Sequence, residues 1–202
     1  MTAIETEADL RQCYDAPSDL VRRKLLPKLD KHARAFIALS PFVVLATHGP
    51  DGSDCSPRGD APGFVAVQDD STLLLPDRRG NNLIDSLRNV VADPDVGLLF
   101  LVPGLNETLR VNGRARIVAD QALLASLAAQ GKIPASALQI AVREVYFHCG
   151  KAMIRSDLWN PDKRAPRNAF PGLGKVIADQ IGGIDADAAQ ANLDEAYRTR
   201  LY

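Results

Sequence analysis

The chain has 202 residues, 46% of them hydrophobic, and a formal net charge of −1. This length suits one domain with a core of its own, and a nearly neutral chain has no overall basic field to attract nucleic acid or an anionic membrane. No apolar run is long enough to cross a bilayer, and the acidic first ten residues are unlike a secretion signal. We therefore expect a cytoplasmic protein without nucleic-acid or membrane partners, and without a metal site.

The first 40 residues have the pattern of helices. Ser18 or Asp19 is placed to cap a helix whose apolar stripe breaks at Pro27, and a second stripe runs over residues 29–39. Ser40 and Pro41 end that stripe. Residues 1–40 are thus predicted to form an N-terminal helical segment.

From Phe42 the pattern changes to that of strands. Strand-like runs occur around six positions: Phe42, Cys55, Leu73, Val96, Leu109 and Ala141. Prolines and glycines between Cys55 and Val67 favour one bent or bulged strand there. Asp120 is predicted to cap a helix that continues to Gly131. Six strands joined mostly by hairpins, with two helical insertions, predict a mainly β protein with α additions, built on a six-stranded antiparallel barrel.

The most informative segment follows the strand at Leu73. Pro76 and Asp77 end this strand, and Arg78, Arg79, Gly80, Asn81 and Asn82 precede an amphipathic helical pattern. Asn81 or Asn82 is expected to cap that helix, and two guanidinium groups beside a helix N-terminus suit a phosphate or carboxylate. The alternative is a pair of solvated arginines in a turn.

Arg58 is the second candidate for this anion site. It precedes the Leu73 strand by one hairpin, so the two strands are expected to be neighbours in the sheet, with Arg58 directed toward Asn81 and Asn82. The alternative is a surface Arg58 paired with Asp60.

The C-terminal part is predicted to be less regular. A short helix is expected from Gly150, followed by a Pro/Gly-rich basic segment over residues 160–174, a helix over residues 175–181 and a charged tail.

Together these motifs resemble the FMN-binding split-barrel family of pyridoxamine-phosphate-oxidase-like flavoproteins. The resemblance covers residues 36–159 and rests on several segments in the same order: Ser56–Asp60, Gly63–Val65, Leu75–Asn82, Ser86–Asn89, Pro94–Leu98, Glu107–Gly113 and Cys149–Ala152.

The resemblance implies a single FMN-binding split-barrel domain over residues 1–202, with a barrel core at 41–159 and a C-terminal extension at 160–202. It implies a homodimer with FMN at the subunit interface. The residues that it implies for cofactor binding are Arg58, Gly59, Pro76, Asp77, Arg78, Arg79, Asn81, Asn82, Lys151 and Trp159.

Two of these residues have alternative roles. The resemblance suggests that Lys151 reaches the flavin or its edge, from its own or the partner subunit; the alternative is a surface lysine at a helix start. Trp159 covers the flavin face, or is buried in the core or at the dimer seam.

The chain departs from true pyridoxamine-phosphate oxidases in two places. Asn81 and Asn82 replace a basic pair, and the chain ends Arg200-Leu201-Tyr202 instead of an Arg-Leu-x-Pro-type segment. The resemblance therefore favours an FMN-dependent oxidoreductase for another, unidentified small molecule, with no catalytic side chain assigned. The alternatives are a non-catalytic flavin-binding or sensing protein, and a heme-handling relative with His48 or His148 as axial ligand.

Overall fold

The computed structural model describes residues 3–202, and its centre is one antiparallel sheet of seven strands. The strands are β1 Phe42–Gly49, β2 Gly52–Gly59, β3 Ala66–Asp69, β4 Thr72–Asp77, β5 Asp95–Leu101, β6 Thr108–Val118 and β7 Ser136–His148. Their order is β2-β1-β5-β6-β7-β4-β3. Alternate residues of β5 and β6 face inward, and Phe100, Leu98 and Leu109 are almost fully buried.

The sheet curls until its two ends approach each other. Arg58 on β2 donates to Asp77 at the end of β4, with 2.8 Å between Nη1 and Oδ1, although β2 and β4 share no ladder. The fold is therefore a split β-barrel that side chains, and not backbone hydrogen bonds, bridge at this point.

Helices flank the barrel: α1 Glu7–Cys13, α2 Asp19–Arg23, α3 Lys31–Leu39, α4 Asp85–Ala92, α5 Gln121–Ser126, α6 Lys151–Ser156, α7 Leu173–Ile181 and α8 Ala186–Thr199. The inward side of α3 buries Ala33, Phe36 and Ile37 in the main core. Ser18 caps α2 by accepting from the Val21 N–H, and Asp120 caps α5 by accepting from the Leu123 N–H.

Gly113 is required where β6 bulges against β7. The register shifts between Asn112 and Gly113, and a Cβ at Gly113 would lie 2.4 Å from the backbone oxygen of Ala141. Only glycine allows the two strands to approach so closely at this position.

Several sequence predictions were wrong about strands. The predicted bent strand at residues 55–67 is two strands, β2 and β3, because the chain turns through Gly63 at φ 80°. The sheet consequently has seven strands where six were expected, and β2 is not a neighbour of β4. The last strand begins at Ser136, five residues before the predicted Ala141.

The helix predictions also needed correction. The first residue of α4 is Asp85 and its N-cap is Ile84, so neither Asn81 nor Asn82 caps it. The α5 helix ends at Ser126, well before Gly131. The predicted charged tail is largely α8, whose N-cap Asp185 accepts from the Ala188 N–H.

Candidate functional site

A polar cleft lies where the two ends of the sheet approach. It has a volume of about 220 Å³ and is bounded by β2, the end of β4, the β4–α4 loop (residues 78–84) and the start of α4. We call it the polar cleft; its lining residues are Asp54, Ser56, Arg58, Asp77, Arg78, Gly80, Asn81, Asn82, Leu83, Ile84, Asp85, Ser86 and Leu87.

Arg58 forms the β2 wall of the polar cleft. Its Nη1 donates to Asp77 Oδ1 at 2.8 Å and its Nε donates to Ser56 Oγ at 3.3 Å. The Ser56 hydroxyl lies 3.0 Å from that of Ser86, which donates to Asp54 Oδ2 at 3.1 Å. This chain of hydrogen bonds fixes Arg58 against α4, and the predicted Arg58–Asp60 pair is not formed.

Arg78, the first residue of the β4–α4 loop, also lines the polar cleft and is less exposed than Arg58. Its Nε donates to Asp60 Oδ2 at 2.6 Å, and its Nη1 donates to the Leu127 carbonyl at 2.8 Å. The side chains of Arg78 and Asp60 are only 18% and 3% exposed. Because a buried carboxylate is costly without partners, this pair is expected to be rigid.

Charge in the polar cleft is closely balanced. Three carboxylates line it, those of Asp54, Asp77 and Asp85, together with the guanidinium groups of Arg58 and Arg78. Each guanidinium has five N–H donors and uses two of them in the contacts above, so further donors remain for an anion. The lining thus carries one more negative than positive charge, so an anion would bind here through directed hydrogen bonds and against the net charge of the lining.

The β4–α4 loop has an unusual backbone. Asn82 and Ile84 have φ of 63° and 52°, in the left-handed region. The Asn81 Oδ1 accepts from the Leu83 N–H at 3.0 Å, so Asn81 closes a turn within the loop. No side chain caps α4, which leaves its first N–H groups beside the polar cleft without a side-chain partner.

The predicted site residues are only partly brought together. Arg58, Asp77, Arg78, Asn81 and Asn82 line the polar cleft. Gly59 is exposed at the end of β2 and Pro76 is buried in β4, so both lie on the strands that bound the cleft without lining it.

Arg79 lies on the other side of the β4–α4 loop. It lines a second cleft of about 490 Å³ between this loop and the end of α8, together with Asn81, Asn82, Tyr197 and Arg200. Asn81 and Asn82 line both clefts, whereas Arg79 lines only the second.

Lys151 lies in a third, more apolar cleft of about 400 Å³, beside Leu99, His148 and Met153. Burial, with the positive charges of Arg110 and Lys24, lowers the pKa of His148 below its ordinary 6.5. Trp159 is partly buried and donates from Nε1 to the Leu105 carbonyl at 2.8 Å. Neither Lys151 nor Trp159 lines the polar cleft of its own chain.

Sequence reasoning missed four residues of this site: Asp54, Asp60, Ser86 and Tyr202. Ser86 could have been found, because it is the second residue of α4 and lies, like Val90, on the buried side of that helix. Tyr202 gave no local signal, since its hydroxyl donates to Asp60 Oδ1, 142 positions earlier, at 2.7 Å.

Within residues 3–202 there is no group of three or more His, Cys, Asp or Glu side chains able to hold a metal ion. Over the same residues, no helix has the length and apolar character needed to span a membrane.

A comparison with models of protein families gives one match. A family model described as Pyridoxamine 5'-phosphate oxidase matches residues 29–149, more than half of the chain. A comparison with curated proteins found no match.

Solved structures resemble the chain at low identity. HupZ of Group A Streptococcus is 17% identical with a TM-score of 0.49, covering 59% of this chain and 93% of its own. A candidate pyridoxamine 5'-phosphate oxidase from Lactobacillus delbrueckii is 21% identical with a TM-score of 0.46, covering 60% and 95%. A Clostridium acetobutylicum protein related to general stress protein 26 is 15% identical with a TM-score of 0.45, covering 58% and 86%.

Proposed function

The chain belongs to the pyridoxamine 5'-phosphate oxidase family, and from that premise we propose that it is a flavoprotein that binds the phosphate of FMN in the polar cleft. The observation that carries the proposal is the convergence of Arg58, Arg78, Asn81 and Asn82 on one cleft, although they come from a strand and a loop that are not hydrogen-bonded to each other. Guanidinium groups, amides and free helix N–H groups are the donors that a phosphate needs.

The donors fit a phosphate group, but the polar cleft is small for the whole cofactor. Its volume of about 220 Å³ is below the roughly 300–1,000 Å³ typical of small-molecule sites. A fourth cleft, of about 460 Å³, adjoins it and shares Asp54 and Asp85 with it. The proposal therefore assigns the phosphate to the polar cleft and the remainder of FMN to a surface that a second copy of the chain completes.

A homodimer also gives Lys151 and Trp159 a role. In one chain they lie away from the polar cleft, so the proposal has them approach the flavin from the partner subunit. Lys151 would then place a positive charge at the edge of the cofactor. Gly59, Pro76 and Asp77 shape the cleft, and Arg79 is on the neighbouring face of the loop.

FMN, when bound, supplies two-electron transfer between a small organic substrate and an acceptor. The side chains of the polar cleft bind and orient the cofactor, and none of them is assigned a proton transfer. The proposed activity is accordingly that of an FMN-dependent oxidoreductase acting on a small molecule.

The first experiment is a visible absorption spectrum of the purified protein, with identification of any chromophore released on denaturation. Peaks near ~370 and ~450 nm and released FMN are expected. Protein that is colourless and also fails to take up added FMN would refute the proposal. Bound FMN without reductase or oxidase turnover would support a flavin-binding protein and refute the proposed oxidoreductase activity.

The phosphate contact is tested with Arg58→Ala. We expect FMN affinity to fall about tenfold to a hundredfold, because a charge-assisted hydrogen bond contributes roughly 1.5–3 kcal/mol. FMN fluorescence quenching gives the dissociation constant. Arg34→Ala is the matched control, since Arg34 forms a 2.6 Å ion pair with Asp70 away from the cleft. Equal affinities in the two variants would exclude Arg58 from the site.

A further inference from the structure

Tyr202 is connected to the polar cleft through the buried carboxylate of Asp60. Asp60 Oδ1 accepts from the Tyr202 hydroxyl at 2.7 Å and from the Ala61 N–H at 2.7 Å, and Oδ2 accepts from Arg78 Nε at 2.6 Å. Burial alone would raise the pKa of Asp60, but these hydrogen bonds and the charge of Arg78 lower it below the ordinary 3.8. Asp60 is thus an ionised, fully engaged carboxylate.

The orientation of this carboxylate determines where Arg78 lies. With Oδ1 occupied by Tyr202 and Ala61, Oδ2 is directed at Arg78, and the Leu127 carbonyl fixes Nη1. Two anchors of this kind hold the planar guanidinium in one orientation, and its remaining N–H groups are free for the polar cleft. Loss of the Tyr202 hydroxyl would leave one lone pair of Asp60 unfilled and allow the carboxylate to rotate.

Tyr202 comes from a part of the chain that the family model does not cover, since that model ends at residue 149. Residues 165–202 are the extension without its first five residues, of which Asn160 bonds to Asp157. Within residues 3–202, the Tyr202–Asp60 bond is the only hydrogen bond that joins residues 165–202 to the rest of the chain. The α8 helix delivers Tyr202 beside the β4–α4 loop, with which its last turns form the second cleft.

We infer that Tyr202 is a positioning residue for the polar cleft: its hydroxyl fixes Asp60, Asp60 fixes Arg78, and the C-terminal extension thereby sets the affinity for FMN. This inference rests on the proposed function, because Arg78 is a ligand only if the phosphate lies in the polar cleft. The extension acts on the site through this contact.

The test compares the FMN dissociation constants of Tyr202→Phe and Tyr14→Phe. Tyr14 is 64% exposed and its hydroxyl makes no hydrogen bond in the described residues, so it matches the chemical change without the contact. We expect Tyr202→Phe to weaken FMN binding about threefold to tenfold, part of what a hydrogen bond to a charged group provides, and Tyr14→Phe to stay within about twofold. Equal constants in both variants would overturn the inference.

A double-mutant cycle separates positioning from a general structural effect. The effect of Tyr202→Phe on the FMN dissociation constant is expected to disappear in an Arg78→Met background and to persist in an Arg58→Met background. The same weakening in both backgrounds would show that Tyr202 does not act through Arg78, and would overturn the inference. If Arg78→Met fails to fold, as judged by circular dichroism, Asp60→Asn replaces it in the cycle.

The affinity of the wild-type protein for FMN shows whether a negative result refutes the proposed function or only this inference. Wild type that binds no FMN refutes the proposed function and with it this inference. Wild type that binds FMN with the affinity of Tyr202→Phe refutes the inference alone.

Discussion

The barrel and the C-terminal extension are stabilised in different ways. The barrel has a continuous core in which Phe100, Leu98, Leu109 and Ile140 are almost completely buried. In residues 165–202 the only fully buried residue is Gly174, and Ile181 and Phe170 are largely exposed. Hydrophobic burial therefore stabilises the barrel, whereas a few directed contacts hold the extension.

Gly174 shows how the extension compensates for its small apolar core. A Cβ at this position would lie 2.5 Å from the backbone nitrogen of Gln190, so the glycine lets α7 and α8 pack backbone to backbone. The Gly174 N–H then donates to Gln190 Oε1 at 3.0 Å. Because one hydrogen bond, Tyr202–Asp60, joins this pair to the barrel, we expect the pair to open without unfolding the barrel.

The largest difference in stability between a substitution in the barrel and one in the extension is expected from Phe100→Ala. Truncation of a fully buried phenylalanine should lower the free energy of unfolding by about 3–5 kcal/mol, through lost transfer energy and the cavity left behind. Urea denaturation measures this quantity. Phe170→Ala removes the same atoms from a 71% exposed side chain in the extension, and should change the free energy of unfolding by less than about 0.5 kcal/mol. A comparable loss in both variants would mean that the extension shares the core.

Much of the barrel could be predicted from the sequence because its strands alternate. The sequence of β6 predicts one face of Leu109, Val111, Gly113, Ala115 and Ile117. The first four are buried, whereas Ile117 is 37% exposed near the end of the strand. The predicted helix after Gly150 is also present. β3 could not be separated from β2, since a four-residue strand has too few positions to establish a period. For α8, Asp185 before an alanine-rich sequence is a local signal of a capped helix.

The candidate site could be predicted only as a set of residues. The segment at 76–82 and Arg58 were expected to converge, and five of the predicted residues line one cleft. The partners of the two guanidinium groups depend on contacts between distant segments: Arg58 pairs with Asp77, and Asp60 joins Arg78 to Tyr202. Local sequence patterns carry no information about such contacts.

The next effect concerns the contact between the two regions. Asp60→Asn should lower the free energy of unfolding at pH 7 by about 1–3 kcal/mol, because it removes a buried charge that Arg78 and Tyr202 engage. The pKa of Asp60 is lower in the folded protein than its ordinary 3.8, so the stability that it contributes is complete above that pH. This contribution is lost as the pH falls through the folded pKa, and the difference between wild type and variant should therefore narrow in acid.

Urea unfolding from pH 7 down to pH ~3 measures that difference. Asp70→Asn is the control, because Asp70 forms an ion pair of the same 2.6 Å length with Arg34 but is half exposed. Its effect should stay below about 1 kcal/mol. If Asp70→Asn costs as much as Asp60→Asn, the contact at Asp60 is an ordinary surface pair and does not join the two regions specifically.

The smallest effect is expected inside the extension, from Gln190→Ala. This change removes the acceptor of the Gly174 N–H and should destabilise the α7–α8 pair by about 0.5–1.5 kcal/mol. Hydrogen exchange measures the opening of the two regions separately. In Gln190→Ala the Gly174 amide should exchange several-fold faster than in the wild type, while the amides of β5 and β6 keep their exchange rates. Gln180 lies on the exposed side of α7, so Gln180→Ala should leave the exchange rates of the Gly174 amide and of the β5 and β6 amides unchanged. Faster exchange in β5 as well would mean that the extension and the barrel open together, because a cooperative unit exchanges as a whole.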